Sequence, residues 1–191
     1  MDAALIVGLG NPGAAYRPSR HNVGFMVADL VAARLGAPFR EGPGQYLRAS
    51  GRDSGVTISV IKPLTFMNLS GEAVREALRW TGVDAARALI VLDDFHLPLG
   101  ALRMRAAGSD GGHRGLGSVI AVLGTEAVPR LRCGIAGREL PAREERRAFV
   151  LAPFAAAEAA TAAAMVTRGA EAARAFACDG LPLAMSRHNT T

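Results

Sequence analysis

A short apolar run, Ala4-Leu5-Ile6-Val7, breaks into Gly8-Leu9-Gly10-Asn11-Pro12-Gly13, and this junction constrains the fold more than any other stretch. The run reads as a buried strand. The glycines, proline and asparagine end it and force a turn. Gly8-x-Gly10-x-x-Gly13 matches the dinucleotide fingerprint, which needs a helix to start within the glycines and aim its N-terminus at a pyrophosphate. Pro18 would fall in the second turn of that helix, removing an N–H and clashing with the turn before it. The acidic residue expected about 20 positions on falls near Asp29, inside a helical pattern. A nicotinamide or flavin site is therefore disfavoured. The junction instead leaves Asn11, Tyr16, His21 and Asn22 around a strand end, where binding and catalytic groups tend to collect.

The remaining elements follow from periodicity. Residues 3–8 form the first strand. Phe25-Met26, Leu30 and Val31-Ala32 recur at helical spacing over 23–35, and Gly36 and Pro38 stop the helix. A Gly/Pro turn occupies 40–44. Residues 45–50 and 56–61 read as a hairpin around a polar 51–55 turn. A helix is expected over 70–80, strands over 88–92, 102–105 and 131–136, and a helix over 114–123. Residues 139–147 read as a charged surface loop. An alanine-rich helix spans 155–176, and the tail after 180 is expected to be mobile. No repeat or linker divides the chain. The expectation is one domain over 1–191, an α/β/α sandwich with a twisted mixed sheet.

Polar side chains gather at the strand ends. Asn11 and His21 follow the first strand, Met67 and Asn68 the second arm of the hairpin, and Asp93 the 88–92 strand. In an open α/β sheet such loops line a common crevice. A base, an acid that can orient it and two amide donors suit direct attack of water on an acyl carbon. Histidine titrates near neutrality and can take a proton from water. A carboxylate on its other nitrogen fixes the tautomer. Such general-base help is worth about 10²–10⁴ in rate. No serine is paired with the histidine, and no metal cluster is evident.

Composition sets looser bounds. The 191 residues carry a formal charge of +5, which favours a polyanionic partner. Lys62 is the only lysine among 22 basic residues, so individual arginines are not read as phosphate contacts. Cys133 and Cys178 lack metal-ligand spacing and suit free thiols in a reducing cytoplasm. No apolar run is long enough to span a bilayer, and no signal peptide is evident.

Four ordered motifs carry a family resemblance. The run from Gly8 through Asn11 and Tyr16 to Arg20-His21-Asn22-x-Gly24-Phe25 resembles the opening signature of bacterial-type peptidyl-tRNA hydrolases. Lys62-Pro63-x-Thr65-Phe66-Met67-Asn68-x-Ser70-Gly71 resembles the second. Asp93-Asp94 with Leu97-Pro98-x-Gly100 resembles the third, and Gly111-Gly112-His113-x-Gly115 the fourth. Arg130-x-Arg132-x-Gly134-Ile135 continues in register. The resemblance covers about residues 4–153, and Asp179-Gly180 also fits.

It implies hydrolysis of the ester joining a peptide to the terminal ribose of tRNA, recycling tRNA dropped by the ribosome. His21 would activate water and Asp93 would hold it basic. Asn11 would sit near the N-blocked aminoacyl group, and Asn68 would stabilise the carbonyl oxygen. Tyr16, Phe66, Met67 and His113 would line the crevice for the 3′ end. Arg105 and Arg132 would clamp the 5′ phosphate, where guanidinium groups grip bidentately. A cytoplasmic monomer without metal or cofactor is implied. The alternative is an RNA-binding relative that has lost catalysis; the presence of His21, Asp93, Asn11 and Asn68 argues against it. Arg114 stands where the family commonly has asparagine. Arginine cannot accept a hydrogen bond, so a water- or tRNA-binding role at Arg114 would be carried differently. His96 stands where an aspartate is often found.

Overall fold

The computed structural model describes residues 3–137 and 141–189. Seven strands form one mixed sheet in the order β2-β3-β4-β1-β5-β7-β6. They are β1 (Ala3–Gly8), β2 (Arg40–Glu41), β3 (Tyr46–Asp53), β4 (Val56–Pro63), β5 (Ala88–Pro98), β6 (Leu102–Arg105) and β7 (Arg130–Ala136). The central four, β4, β1, β5 and β7, run parallel; β3 and β6 flank them antiparallel, and β2 pairs antiparallel with β3. Helices cover both faces, as the sequence pattern requires.

The alternation along β1 shows why. Ala4 and Ile6 enter one core with α1 (Val23–Arg34), α5 (Ala159–Asp179) and α6 (Leu181–His188). Leu5 and Val7 enter the other with α2 (Ser70–Thr81) and α3 (Arg114–Leu123). A strand buried on both sides reads as a continuous apolar run. The connection leaving β1 runs to the first face, and that leaving the adjacent β4 runs to the second. The two loops part above the sheet and open a crevice at the carboxyl ends of the strands.

The start of α1 is pressed onto the sheet. A Cβ at Gly24 would stand 2.4 Å from Val91 O and 2.5 Å from Leu9 O. One at Gly8 would stand 2.2 Å from Gly24 O. The opening glycines therefore serve helix-to-strand approach as well as the turn. Between β1 and α1 the chain makes only single 3₁₀ turns, at Ala14–Tyr16 and Arg20–Asn22. No helix begins within the glycines.

Four expectations need correction. The tail after 180 forms α6, whose Ala184 is fully buried, because Pro182 near its start and the apolar Leu181 and Met185 let it pack on the core. Beyond α6, Asn189 accepts a hydrogen bond from Met104 N at 2.6 Å and donates to Met104 O at 3.3 Å, on the free side of β6. Asp93 lies inside β5 and not beyond it: pairing of Asp93 with Cys133 and Asp94 with Gly134 carries the strand on. Within the expected 40–44 turn, Arg40–Glu41 adds a short edge strand to β3. The charged loop expected over 139–147 ends in a helix, α4 (Arg146–Leu151), while 138–140 lie outside the described residues.

Candidate active site

Asp93 is the buried centre of the site, with its side chain 2 % exposed. Its Oδ1 lies 2.7 Å from His21 Nδ1 and 3.0 Å from His113 Nε2. The two imidazoles meet at a tilt, with centroids 5.0 Å apart. Burial alone would push the Asp93 carboxyl up. The charge and hydrogen bonding of His113 and His21 outweigh it and hold the group well below the usual carboxylate range.

The hydrogen-bond pattern fixes both tautomers. His113 is the N-cap of α3, and its Nδ1 accepts from Leu116 N at 3.2 Å. Its proton must then lie on Nε2, which donates to Asp93. His21 donates from Nδ1 to the same carboxylate oxygen, so its Nε2 carries the lone pair. Among the described residues that nitrogen has no partner, and the His21 side chain is 13 % exposed. This is the arrangement of a base held ready for a proton from the crevice. His21, Asp93 and His113 also lie within metal-ligand reach of one another. A metal on His113 Nε2 would need a lone pair that the helix cap has placed on Nδ1, so these three groups do not suit an ion.

Asn11 is set by two contacts. Its Oδ1 accepts from Met67 N at 3.0 Å, joining the β1 loop to the β4 loop. Its backbone is clasped by Asn22, whose Oδ1 accepts from Asn11 N at 2.8 Å and whose Nδ2 donates to Asn11 O at 2.9 Å. Because Met67 occupies the carboxamide oxygen, Asn11 turns Nδ2 toward free space, and among the described residues that donor has no partner. Met67 is buried; Asn68 and Phe66 beside it are exposed, Phe66 by 62 %. Tyr16 is half-buried in the turn before His21, and Arg114 is exposed on the first turn of α3.

His21 thus meets Asp93, and Asn11 meets the backbone of Met67; Asn68, expected to join them, is exposed and makes no hydrogen bond to any of them among the described residues. His113 requires a correction: it is a buried cap and a partner of Asp93 as well as a neighbour of the crevice. Gly111 and Gly112, with φ of 58° and 81°, make the left-handed turn that delivers it.

Arg105 and Arg132 lie apart from this triad, on a cavity of about 340 Å³ shared with Asp94, Arg130 and the 108–111 loop. Asp94 accepts from Arg132 Nε at 2.5 Å and orients its guanidinium. Arg130, buried beneath the loop, donates to the carbonyls of Gly108, Ser109, Glu126 and Val128.

Arg20 was quoted in the opening motif but given no role. Its guanidinium donates to Pro153 O at 2.6 Å and pairs with Glu158 at 2.7 Å. It also lies over Phe149 at 4.5 Å, while Arg20 N donates to Ala152 O. It anchors the His21 turn to the segment linking α4 and α5. Asn22, Arg20 and Arg130 each serve a distant backbone, and only an arginine or asparagine at a loop next to a motif could have hinted at that.

Comparison with known proteins places the fold in a family. The family described as peptidyl-tRNA hydrolase matches residues 5–191. A peptidyl-tRNA hydrolase of Symbiobacterium thermophilum is 45 % identical over 190 residues, covering 98 % of this chain and 100 % of that one. One from Carboxydothermus hydrogenoformans is 43 % identical, covering 97 % of each. The crystal structure of peptidyl-tRNA hydrolase from Acinetobacter baumannii superposes with a TM-score of 0.91 at 27 % identity, covering 98 % of this chain and 95 % of that one. No helix among the described residues is long and apolar enough to cross a membrane. The chain belongs to the peptidyl-tRNA hydrolase family.

Proposed function

We propose that the chain hydrolyses the ester between an N-blocked peptide and tRNA by direct attack of water, with no covalent intermediate. The observation that carries this reading is the His21–Asp93 pair, which leaves His21 Nε2 unprotonated. Water gives a proton to Nε2 as its oxygen joins the carbonyl carbon. Asp93 stabilises the imidazolium that forms. The tetrahedral oxyanion is met by Asn68 from the β4 loop, a donor worth roughly 2.7–4 kcal/mol when well placed. Collapse expels the ribose oxygen of tRNA, which takes the proton back from His21. Water, imidazole and carboxylate complete the proton inventory, so the reaction requires no cofactor. The substrate is made in the cytoplasm, which is where this reading places the enzyme, acting as a monomer.

Asn11 supplies discrimination. With its oxygen committed to Met67 N, it presents only N–H donors. The acyl oxygen of a blocked amino group can accept from it. A free ammonium cannot, and it would leave the donor unpaired at a desolvation cost of about 1–3 kcal/mol. Incubation with N-acetyl-aminoacyl-tRNA and with free aminoacyl-tRNA tests this. Cleavage of the first with sparing of the second is expected. Binding without release of tRNA would instead identify a catalytically silent RNA-binding relative, and equal cleavage of both would remove Asn11 from its role.

Arg105 and Arg132 supply the phosphate clamp, with Phe66, Met67 and Tyr16 lining the approach for the 3′ end. Arg105→Ala and Arg132→Ala should each weaken tRNA binding and reduce the slope of log affinity against log salt by roughly 0.7–0.9, the counterion release of one contact. Titration at several salt concentrations reads this directly. An unchanged slope would place these arginines outside the tRNA footprint.

A further inference from the structure

We propose that His113 is a positioning residue that sets how tightly His21 holds its proton, by donating to the same oxygen of Asp93. The inference rests on the reading of His21 as the base. The carboxylate oxygen that His21 uses is shared: His21 Nδ1 stands 2.7 Å from it and His113 Nε2 stands 3.0 Å from it. Each donor draws on the same lone-pair density. The second bond therefore lowers what Asp93 can return to a protonated His21, while the neutral state loses less. His113 cannot give up this bond by tautomerising, because Leu116 N occupies its Nδ1. The α3 helix start is thus wired to the proton inventory of the base.

The other groups around this pair leave the balance to His113. Cys133 faces Asp93 from β7; burial first, and then the Asp93 and Asp94 carboxylates, push its thiol up, so it stays neutral. Asn11 and Met67, on the β1 and β4 loops, are uncharged. On the α4 side Arg20 is paired with Glu158, and Arg146 lies over the Phe95 ring.

His113→Asn separates the two roles of the residue. Asparagine is a strong N-cap and can keep an acceptor for Leu116 N, but it ends where the imidazole Nδ1 stands and brings no donor to Asp93. The acid limb of kcat/KM should move to higher pH by about one unit. On the acid side that is about a tenfold loss, larger than any loss on the plateau at higher pH. His113→Gln, long enough to return an amide donor to Asp93, should bring the limb back toward the parent. Titration of the His21 ring by nuclear magnetic resonance, without substrate, should show the same displacement. Because it needs no turnover, it stays decisive even if ester cleavage fails and the functional reading falls. An unmoved His21 titration in the asparagine variant overturns the proposal. So does a lowered plateau with an unmoved limb, or a parent protein whose His113 ring carries its proton on Nδ1.

Discussion

His21→Ala is expected to lower kcat by about 10²–10⁴, the worth of a placed general base, while tRNA affinity stays within a few-fold of the parent. His113 cannot replace the lone pair on Nε2, since its cap turns it toward Asp93. The alanine variant also leaves the buried Asp93 with one donor in place of two. His21→Asn guards against misreading that loss: its amide can still donate to Asp93 but offers no base in the crevice. Both variants should be inactive, and the asparagine variant should melt close to the parent. Single-turnover cleavage with saturating blocked aminoacyl-tRNA gives the rate, and filter binding gives the affinity. Residual activity within tenfold of the parent in both would show that another group takes the proton.

Gly24→Ala should be strongly destabilising for so small a substitution. The added methyl would stand 2.4 to 2.6 Å from the backbone of Val91 in β5 and of Leu9 just beyond β1. Leu9 N donates to Val91 O at 2.9 Å, so neither can yield without breaking that bond and α1 itself must move. Overpacking of a well-packed core costs about 1–3 kcal/mol and occasionally more, and a clash with backbone of two segments belongs at or beyond the top of that range. Gly10→Ala is the matched control: the atoms nearest its methyl belong to the Phe25 side chain and not to backbone. Urea unfolding of the two variants should separate them by more than 1 kcal/mol. Equal midpoints would mean that α1 is free to lift from the sheet, and that His21, three residues before Gly24, is held by something other than that contact.

These two sites also show where sequence reasoning reached and where it stopped. The meeting of His21 with Asp93 was legible because His21 follows β1 and Asp93 directly follows the apolar run of β5, a parallel neighbour of β1. Pro18 correctly excluded a helix within the glycines. The use of Gly8 and Gly24 was not legible, because a glycine in a turn and a glycine under a crossing helix look alike until the helix is placed. The double role of His113 was equally hidden. It depends on the loop after β6 folding back so that a helix cap faces a residue twenty positions earlier. The extension of β5 through Asp93 to Pro98 was missed because the second half of that strand carries charged and aromatic residues, and its order comes from pairing with β7. Arg20 looked like one more basic residue. Its burial against Phe149 and Glu158 comes from a chain segment more than a hundred residues away.

Asn189 has a consequence beyond closing the C-terminal helix. A β-strand at the rim of a sheet presents a row of open amides and carbonyls to any passing strand, and proteins must blunt that invitation. By holding both the N–H and the C=O of Met104, one carboxamide imitates the hydrogen bonding of a further strand without offering a backbone that could continue it. At this point Asn189 closes the free edge of β6, beside the cavity where Arg105 and Arg132 stand.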